Sequence, residues 1–262
     1  MPVRLRQLSV NPFRIPSTGV RPTRPLPILS ISLVLTAALA PALPGSSSDR
    51  SDQGPPRYKG RIIAPVMSAS GADWLNRPER ERMEMPDRLL DALKIKPGMT
   101  VADVGAGIGY FSWRIARRVG PEGRVLAVEI QPEMLERLAA EMRKRDIRNV
   151  RSILGRPTDP VLPAQSVDLA LLVDVYHEFR HPEAMVSGIR DSLKDDGRMV
   201  LVEYRGEDPT VPIRPEHKMT VKQVLLEILP MGFRLQSRLD FLPWQHVFIF
   251  VKDSVNRPQP SE

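Results

Sequence analysis

Asp103-Val104-Gly105-Ala106-Gly107-Ile108-Gly109 joins an apolar run, Thr100-Val101-Ala102-Asp103-Val104, to a stretch of helical spacing from Tyr110 to Val119, in which Phe111, Ile115 and Val119 share a face. Glycine belongs in such a strand-to-helix turn because it accepts positive φ and lets a ligand approach the backbone with no Cβ in the way. Gly105, Gly107 and Gly109 are therefore candidate binding residues. Glu129 follows 20 residues after Gly109, at the end of the next strand, where a carboxylate can accept both hydroxyls of a ribose. The spacing argues against two nucleotide classes. A dinucleotide turn wants G-x-G-x-x-G, and Tyr110 stands where its third glycine belongs; a phosphate loop needs a Lys-Ser/Thr pair, and none is present. Asp103 agrees, since a carboxylate at the mouth of the turn repels a pyrophosphate but pairs with an ammonium.

Outward from this turn, strand and helix signals alternate. Arg124 to Glu129 reads as a strand, Pro132 to about Lys144 as a helix, Val150 to Leu154 as a strand and Val167 to Asp174 as another. Glu183 to Leu193 reads as a helix, the turn Asp195-Asp196-Gly197 follows, and Arg198 to Tyr204 is the next strand. Val221 to Leu229 has helical spacing, and Phe233 to Phe241 and His246 to Val251 are final strands. This order specifies an α/β fold, a doubly wound, mostly parallel sheet with helices on both faces. Ligands in that architecture sit beyond the carboxyl ends of the strands, where strand order reverses.

A ligand with a ribose, an adenine and an amino-acid tail satisfies these constraints, and S-adenosylmethionine is such a ligand. Here the chain, from about Met85 to Val251, resembles the class I S-adenosylmethionine-dependent methyltransferases. The resemblance rests on the glycine turn, Glu129, the strand Asp168-Leu169-Ala170-Leu171-Leu172-Val173, and Leu193-Lys194-Asp195-Asp196-Gly197-Arg198. It implies a Rossmann-like sheet of seven strands whose last two form an antiparallel hairpin. It also implies that Gly105, Gly107 and Gly109 line the methionine and ribose portions, that Asp103 sits near the amino group, that Glu129 binds the ribose and that Ile130 packs on the adenine. An acidic residue usually meets the adenine amine after the third strand. Here Leu154-Gly155 runs into Arg156-Pro157-Thr158-Asp159, so Asp159 is a displaced candidate. The segments Arg61 to Arg80, Val173 to Phe179 and Val202 to Asp208 further resemble bacterial methyltransferase-domain proteins with export signals. By that resemblance Pro65 to Arg80, with Trp74, folds over the cofactor; an amphipathic helix on the sheet edge is the alternative.

Composition bounds the rest. The chain has 262 residues, no cysteine and a formal charge of +7, so disulfides, thiolate metal sites and cysteine nucleophiles are excluded. Five arginines, Arg4, Arg6, Arg14, Arg21 and Arg24, precede the apolar run Leu26 to Ala40 with no acid before Asp49, and they carry most of that charge. A basic start, an apolar stretch and a small-residue exit at Ala38-Leu39-Ala40 predict a signal peptide or membrane anchor over 1–45, with membrane association through 26–43. The expected location is the periplasm or inner membrane, or the cytoplasm if translation starts near Met67. A linker over 46–60, a helical segment over 61–95, the catalytic domain over 96–252 and a disordered tail over 253–262 complete the division. No basic stripe interleaved with aromatics points to nucleic acid. The expected partner is a small-molecule substrate.

His177-Glu178-Phe179-Arg180-His181 spells H-E-x-x-H, which on a continuous helix would gather two imidazoles around zinc. Pro182 follows directly and biases His181 away from the α region. The pentapeptide is read as a loop after the fourth strand, and no metal site is expected. In that loop Asp174 and Tyr176 are placed at the cofactor edge. His177 and Glu178 are placed at the acceptor, His177 as general base with Tyr176 and Glu178 beside it. Glu203, Arg205 and His217, in the polar loop after the fifth strand, are candidate substrate residues. The leading reading is methyl transfer, and the second is an exported non-catalytic binding protein on the same fold.

Overall fold

The computed structural model describes residues 54–253. The predicted signal or anchor segment, residues 46–53 of the linker and residues 254–262 of the tail lie outside them. Among the described residues no helix is long and apolar enough to cross a membrane.

Seven strands make the central sheet: β1 (Thr100–Val104), β2 (Arg124–Glu129), β3 (Val150–Leu154), β4 (Val167–Val173), β5 (Leu193–Arg205), β6 (Phe233–Leu239) and β7 (Gln245–Lys252). Their order is β3-β2-β1-β4-β5-β7-β6, and the two-residue strand Lys218–Met219 adds to β5. The first five run parallel, whereas β7 is antiparallel to both β5 and β6. The order reverses between β1 and β4, and the glycine turn leaves β1 there.

Strands covered on both faces read as continuous apolar runs, and β4, Val-Asp-Leu-Ala-Leu-Leu-Val, is one. Alternate residues feed two cores. Ala102, Val104, Leu126, Ala170, Leu172, Leu201, Phe248 and Phe250 face one side. Val101, Val125, Leu169, Leu171, Val200, Val202, Val247 and Ile249 face the other. Each valine, leucine, isoleucine or phenylalanine among them contributes about 1.5–3 kcal/mol on burial, and a one-residue slip would exchange the two sets.

Among the described residues six α-helices flank the sheet: α1 (Glu79–Glu84), α2 (Pro86–Ala92), α3 (Ser112–Val119), α4 (Pro132–Lys144), α5 (Pro182–Ser192) and α6 (Val221–Ile228). Pro132 and Pro182 open α4 and α5, where the missing N–H is not needed.

Three expectations shift. The predicted turn Asp195-Asp196-Gly197 is the bulged start of β5, where pairing with β4 jumps from Val167–Leu193 to Leu169–Arg198. The predicted linker ends early, because Arg57–Tyr58 pairs with Arg61–Ile62 across Lys59 and Gly60, both at positive φ. The segment 61–95 is only partly α-helical: an extended arm and a 3-10 helix, Ala69–Asn76, precede α1 and α2.

Candidate active site

A cavity opens at the carboxyl ends of β1, β2 and β4. One wall is the glycine turn. Gly105 has φ 74°, and a Cβ there would lie 2.4 Å from Val175 Cγ2, so the turn and the β4 exit are packed backbone to side chain. Gly107 lines the cavity and donates its N–H to Glu129 Oε2 at 3.0 Å. Glu129 Oε1 accepts from the N–H groups of Ile130 and Gln131 at 2.7 and 3.0 Å, which fixes the carboxylate at the cavity wall. Ile130 beside it stays 38% exposed, an apolar surface on the cavity wall. Gly109 is not in the lining; its missing Cβ makes room for Leu138 and Met142 of α4.

Asp103 also lines the cavity and is buried, accepting the Ser112 hydroxyl at 2.6 Å. Burial pushes its carboxyl up to about 6, with Ser112 and Arg80 pulling it back. Arg80 is a wall residue that sequence reasoning missed. It sits on α1, donates to Glu84 Oε2 at 2.6 Å and lies over the Tyr110 ring at 4.0 Å.

The N-terminal arm covers the cavity, with Val66, Met67, Trp74 and Leu75 in the wall. Gln131 holds it by both ends of its amide. Its Nε2 donates to the Met67 carbonyl at 2.9 Å and its Oε1 accepts from the Ala69 N–H at 3.0 Å.

The opposite wall is the turn after β4. Asp174 lies in it at φ 52°, receives Gln245 Nε2 at 2.8 and 3.0 Å, and has its carboxyl held well above the usual range by burial and by the Glu84 and Glu203 charges. Glu178 is also in the wall, and burial pushes its carboxyl up to about 7 against the pull of His177.

Tyr176 corrects the sequence reading. It is fully buried away from the lining, and its hydroxyl donates to Glu227 Oε2 at 2.7 Å. His177 is likewise absent from the lining. Its Nδ1 donates to Glu203 Oε2 at 2.6 Å, its Nε2 lies 3.1 Å from His217 Nδ1, and so it has no free nitrogen for an acceptor. Burial works against charge on His177, but the Glu203 carboxylate outweighs it and holds the imidazole above its ordinary value; burial holds His217 below.

The other predicted residues divide as well. Glu203 is fully buried and positions the β4 turn through His177 and the Tyr176 N–H. Arg205 donates to the carbonyls of Asp240, Leu242 and Gln245, which makes it a brace for the β6–β7 connection rather than a substrate residue. Asp159 caps its own turn through the Val161 N–H at 2.7 Å, while Arg156 and Pro157 take the place in the wall. The H-E-x-x-H pentapeptide crosses a 3-10 turn, Tyr176–Glu178, and ends with exposed His181 at the N-terminus of α5. The two imidazoles of the motif do not converge. His177, Glu178 and His217 do, with one ligand atom from each within 4.8 Å of the others.

Comparisons with known proteins agree with this architecture. Residues 95–235, just over half the chain, match a family described as a methyltransferase domain. A nocamycin O-methyltransferase of Saccharothrix syringae is 32% identical over 139 residues, 53% of this chain and 47% of that protein. This chain thus spans about half the length of that relative. Aklanonic acid methyltransferase DauC of Streptomyces sp. (strain C5) is 32% identical over 158 residues, 58% of this chain and 70% of that protein. A methyltransferase structure from Aquifex aeolicus superposes with a TM-score of 0.67 at 23% identity, covering 71% of this chain and 98% of its own. The glycine turn with its acidic partner, the strand order and these matches lead to one conclusion: the chain belongs to the S-adenosylmethionine-dependent methyltransferase family.

Proposed function

We propose that this chain transfers the methyl group of S-adenosylmethionine to a small polar acceptor held between the turn after β4 and the N-terminal arm. The observation that carries the reading is the cavity itself, with Asp103 and Glu129 on one wall and Asp174 and Glu178 on the other. Asp103 would meet the cofactor ammonium, Glu129 the ribose hydroxyls and Ile130 the adenine. An acceptor would enter beside Asp174 and Glu178 on the opposite wall. S-adenosylmethionine would supply an electrophilic methyl group to this acceptor, and the acceptor's proton would pass to the Glu178 carboxylate in the same wall, which burial raises to about 7. Placing the two reactants in line within a cavity covered by the N-terminal arm would be the main service the protein offers. Support for a small acceptor comes from the arm residues that line the cavity and from relatives named for nocamycin and aklanonic acid. Calorimetry with S-adenosylmethionine and its demethylated product, then methyl transfer to a panel of small acceptors, tests the reading. Absence of cofactor binding by the folded protein would reject it.

A further inference from the structure

The chain holds four histidines and no cysteine, yet two of those imidazoles face each other beside Glu178, a residue of the cavity wall. His177 Nε2 and His217 Nδ1 are 3.1 Å apart, with their rings edge to face. Glu178 brings a carboxylate oxygen within 4.8 Å of both, and it also lines the cavity. Around one zinc-sized cation, ligands at about 2.0–2.2 Å lie roughly 3–4 Å from one another. The three donors need only small rotations to reach that spacing.

The surroundings reinforce the spacing. A carboxylate can only accept, so His177 Nδ1 is the nitrogen that carries the proton toward Glu203 Oε2 at 2.6 Å. In the neutral ring this leaves the Nε2 lone pair aimed at His217. A carboxylate behind an imidazole in this way fixes the tautomer and ring orientation that a metal ligand needs. Glu203 is itself fixed by the Tyr176 N–H at 3.0 Å and is completely buried. His217 arrives on the 3-10 turn Pro215–His217, 40 residues from His177. Among the described residues this is the one group of three such donors gathered closely enough for a cation.

We propose that His177, Glu178 and His217 bind a divalent first-row transition metal, with zinc the expected occupant, and that Glu203 positions His177 for it. Two imidazoles and one carboxylate are a donor set that zinc accepts with a fourth position open. This differs from the peptidase reading of the H-E-x-x-H motif, because the second imidazole is His217 and His181 takes no part. It also stands apart from methyl transfer, since metal binding can be measured with no acceptor in hand.

The full-length protein is stripped with a chelator and titrated with Zn2+ in competition with a chromophoric chelator. One Zn2+ per chain with Kd below about 1 μM is the expected result. His217→Ala should weaken it at least about tenfold, Glu203→Gln by about 10- to 100-fold, and His181→Ala should leave it unchanged. His177→Ala, a fully buried site, is interpreted only where circular dichroism shows the native fold; His217 is half-exposed and carries the test by itself. No stoichiometric uptake by the wild type, uptake unaffected by His217→Ala, or uptake lost in His181→Ala would each overturn the proposal. Co2+ substitution adds a second readout: its visible absorption bands should appear in the wild type and be much weaker in His217→Ala at the same Co2+ concentration.

Discussion

At the scale of single residues, Asp103 is the group proposed to meet the cofactor ammonium. Its buried carboxyl is pushed up to about 6 from an ordinary 3.8. The unfolded chain ionises first, so this group's contribution to stability is complete below about pH 3.8 and is lost as pH rises through about 6. Cofactor binding has the opposite sign, because an ammonium against Asp103 favours the carboxylate. Affinity for S-adenosylmethionine should therefore rise about tenfold between about pH 5 and 7, and Asp103→Asn should weaken binding and flatten that dependence. Calorimetry across the range checks it, and a steep profile surviving in the Asn variant would remove Asp103 from the ammonium. Glu129→Ala should weaken the cofactor by about 1–3 kcal/mol, the loss of hydrogen bonds to a charged acceptor. Because Glu129 also ties three backbone N–H groups, the melting temperature must be read beside the affinity. A folded variant of unchanged affinity would take Glu129 out of the ribose site.

Elements explain which parts of the site were legible in sequence. The glycine turn, Glu129 and the alternating strands and helices were readable because their signals are local and periodic. Tyr176 and His177 were misplaced although Glu178 was not, since the three form one turn of 3-10 helix. Such a helix has three residues per turn, so three neighbours point about 120° apart. Tyr176 goes to Glu227, His177 to Glu203 and His217, and Glu178 to the cavity. Arg80 was missed because nothing in its local pattern says that α1 folds under the glycine turn. The arm raises a prediction of its own. Gln131 holds it with two hydrogen bonds, each worth about 0.5–1.5 kcal/mol. Gln131→Ala should speed cofactor release and expose residues 63–76 to protease, with little change in melting temperature because the core strands are untouched. Protease resistance equal to the wild type would mean the arm is held by its other contacts, among them the Ala64 N–H to the His177 carbonyl at 3.0 Å and Arg80 to the Leu75 carbonyl at 2.8 Å.

Across the whole molecule, one buried ion pair joins three distant parts of the chain. Arg61, in the N-terminal hairpin, meets Glu227 of α6 through Nε at 2.7 Å and Nη2 at 3.2 Å, and its Nη1 donates to the His177 carbonyl at 2.9 Å. Tyr176 and Gln223 complete the shell around Glu227, each donating at 2.7 Å. The Glu227 side chain has no exposed surface and that of Arg61 only 10%, so neither charge can fall back on water if the other is removed. Taking away one partner of such a pair costs about 3–5 kcal/mol, most of it the penalty of the charge left behind. Arg61→Ala should therefore lower the melting temperature by roughly 6–20 °C at about 2–4 °C per kcal/mol. Adding Glu227→Gln deletes the stranded charge while keeping the hydrogen-bonding shape. The double variant should then be more stable than Arg61→Ala alone, and the cycle of single and double variants isolates the coupling. Strictly additive losses would mean that the arm, the β4 turn and α6 are held together by packing, with the ion pair contributing nothing of its own.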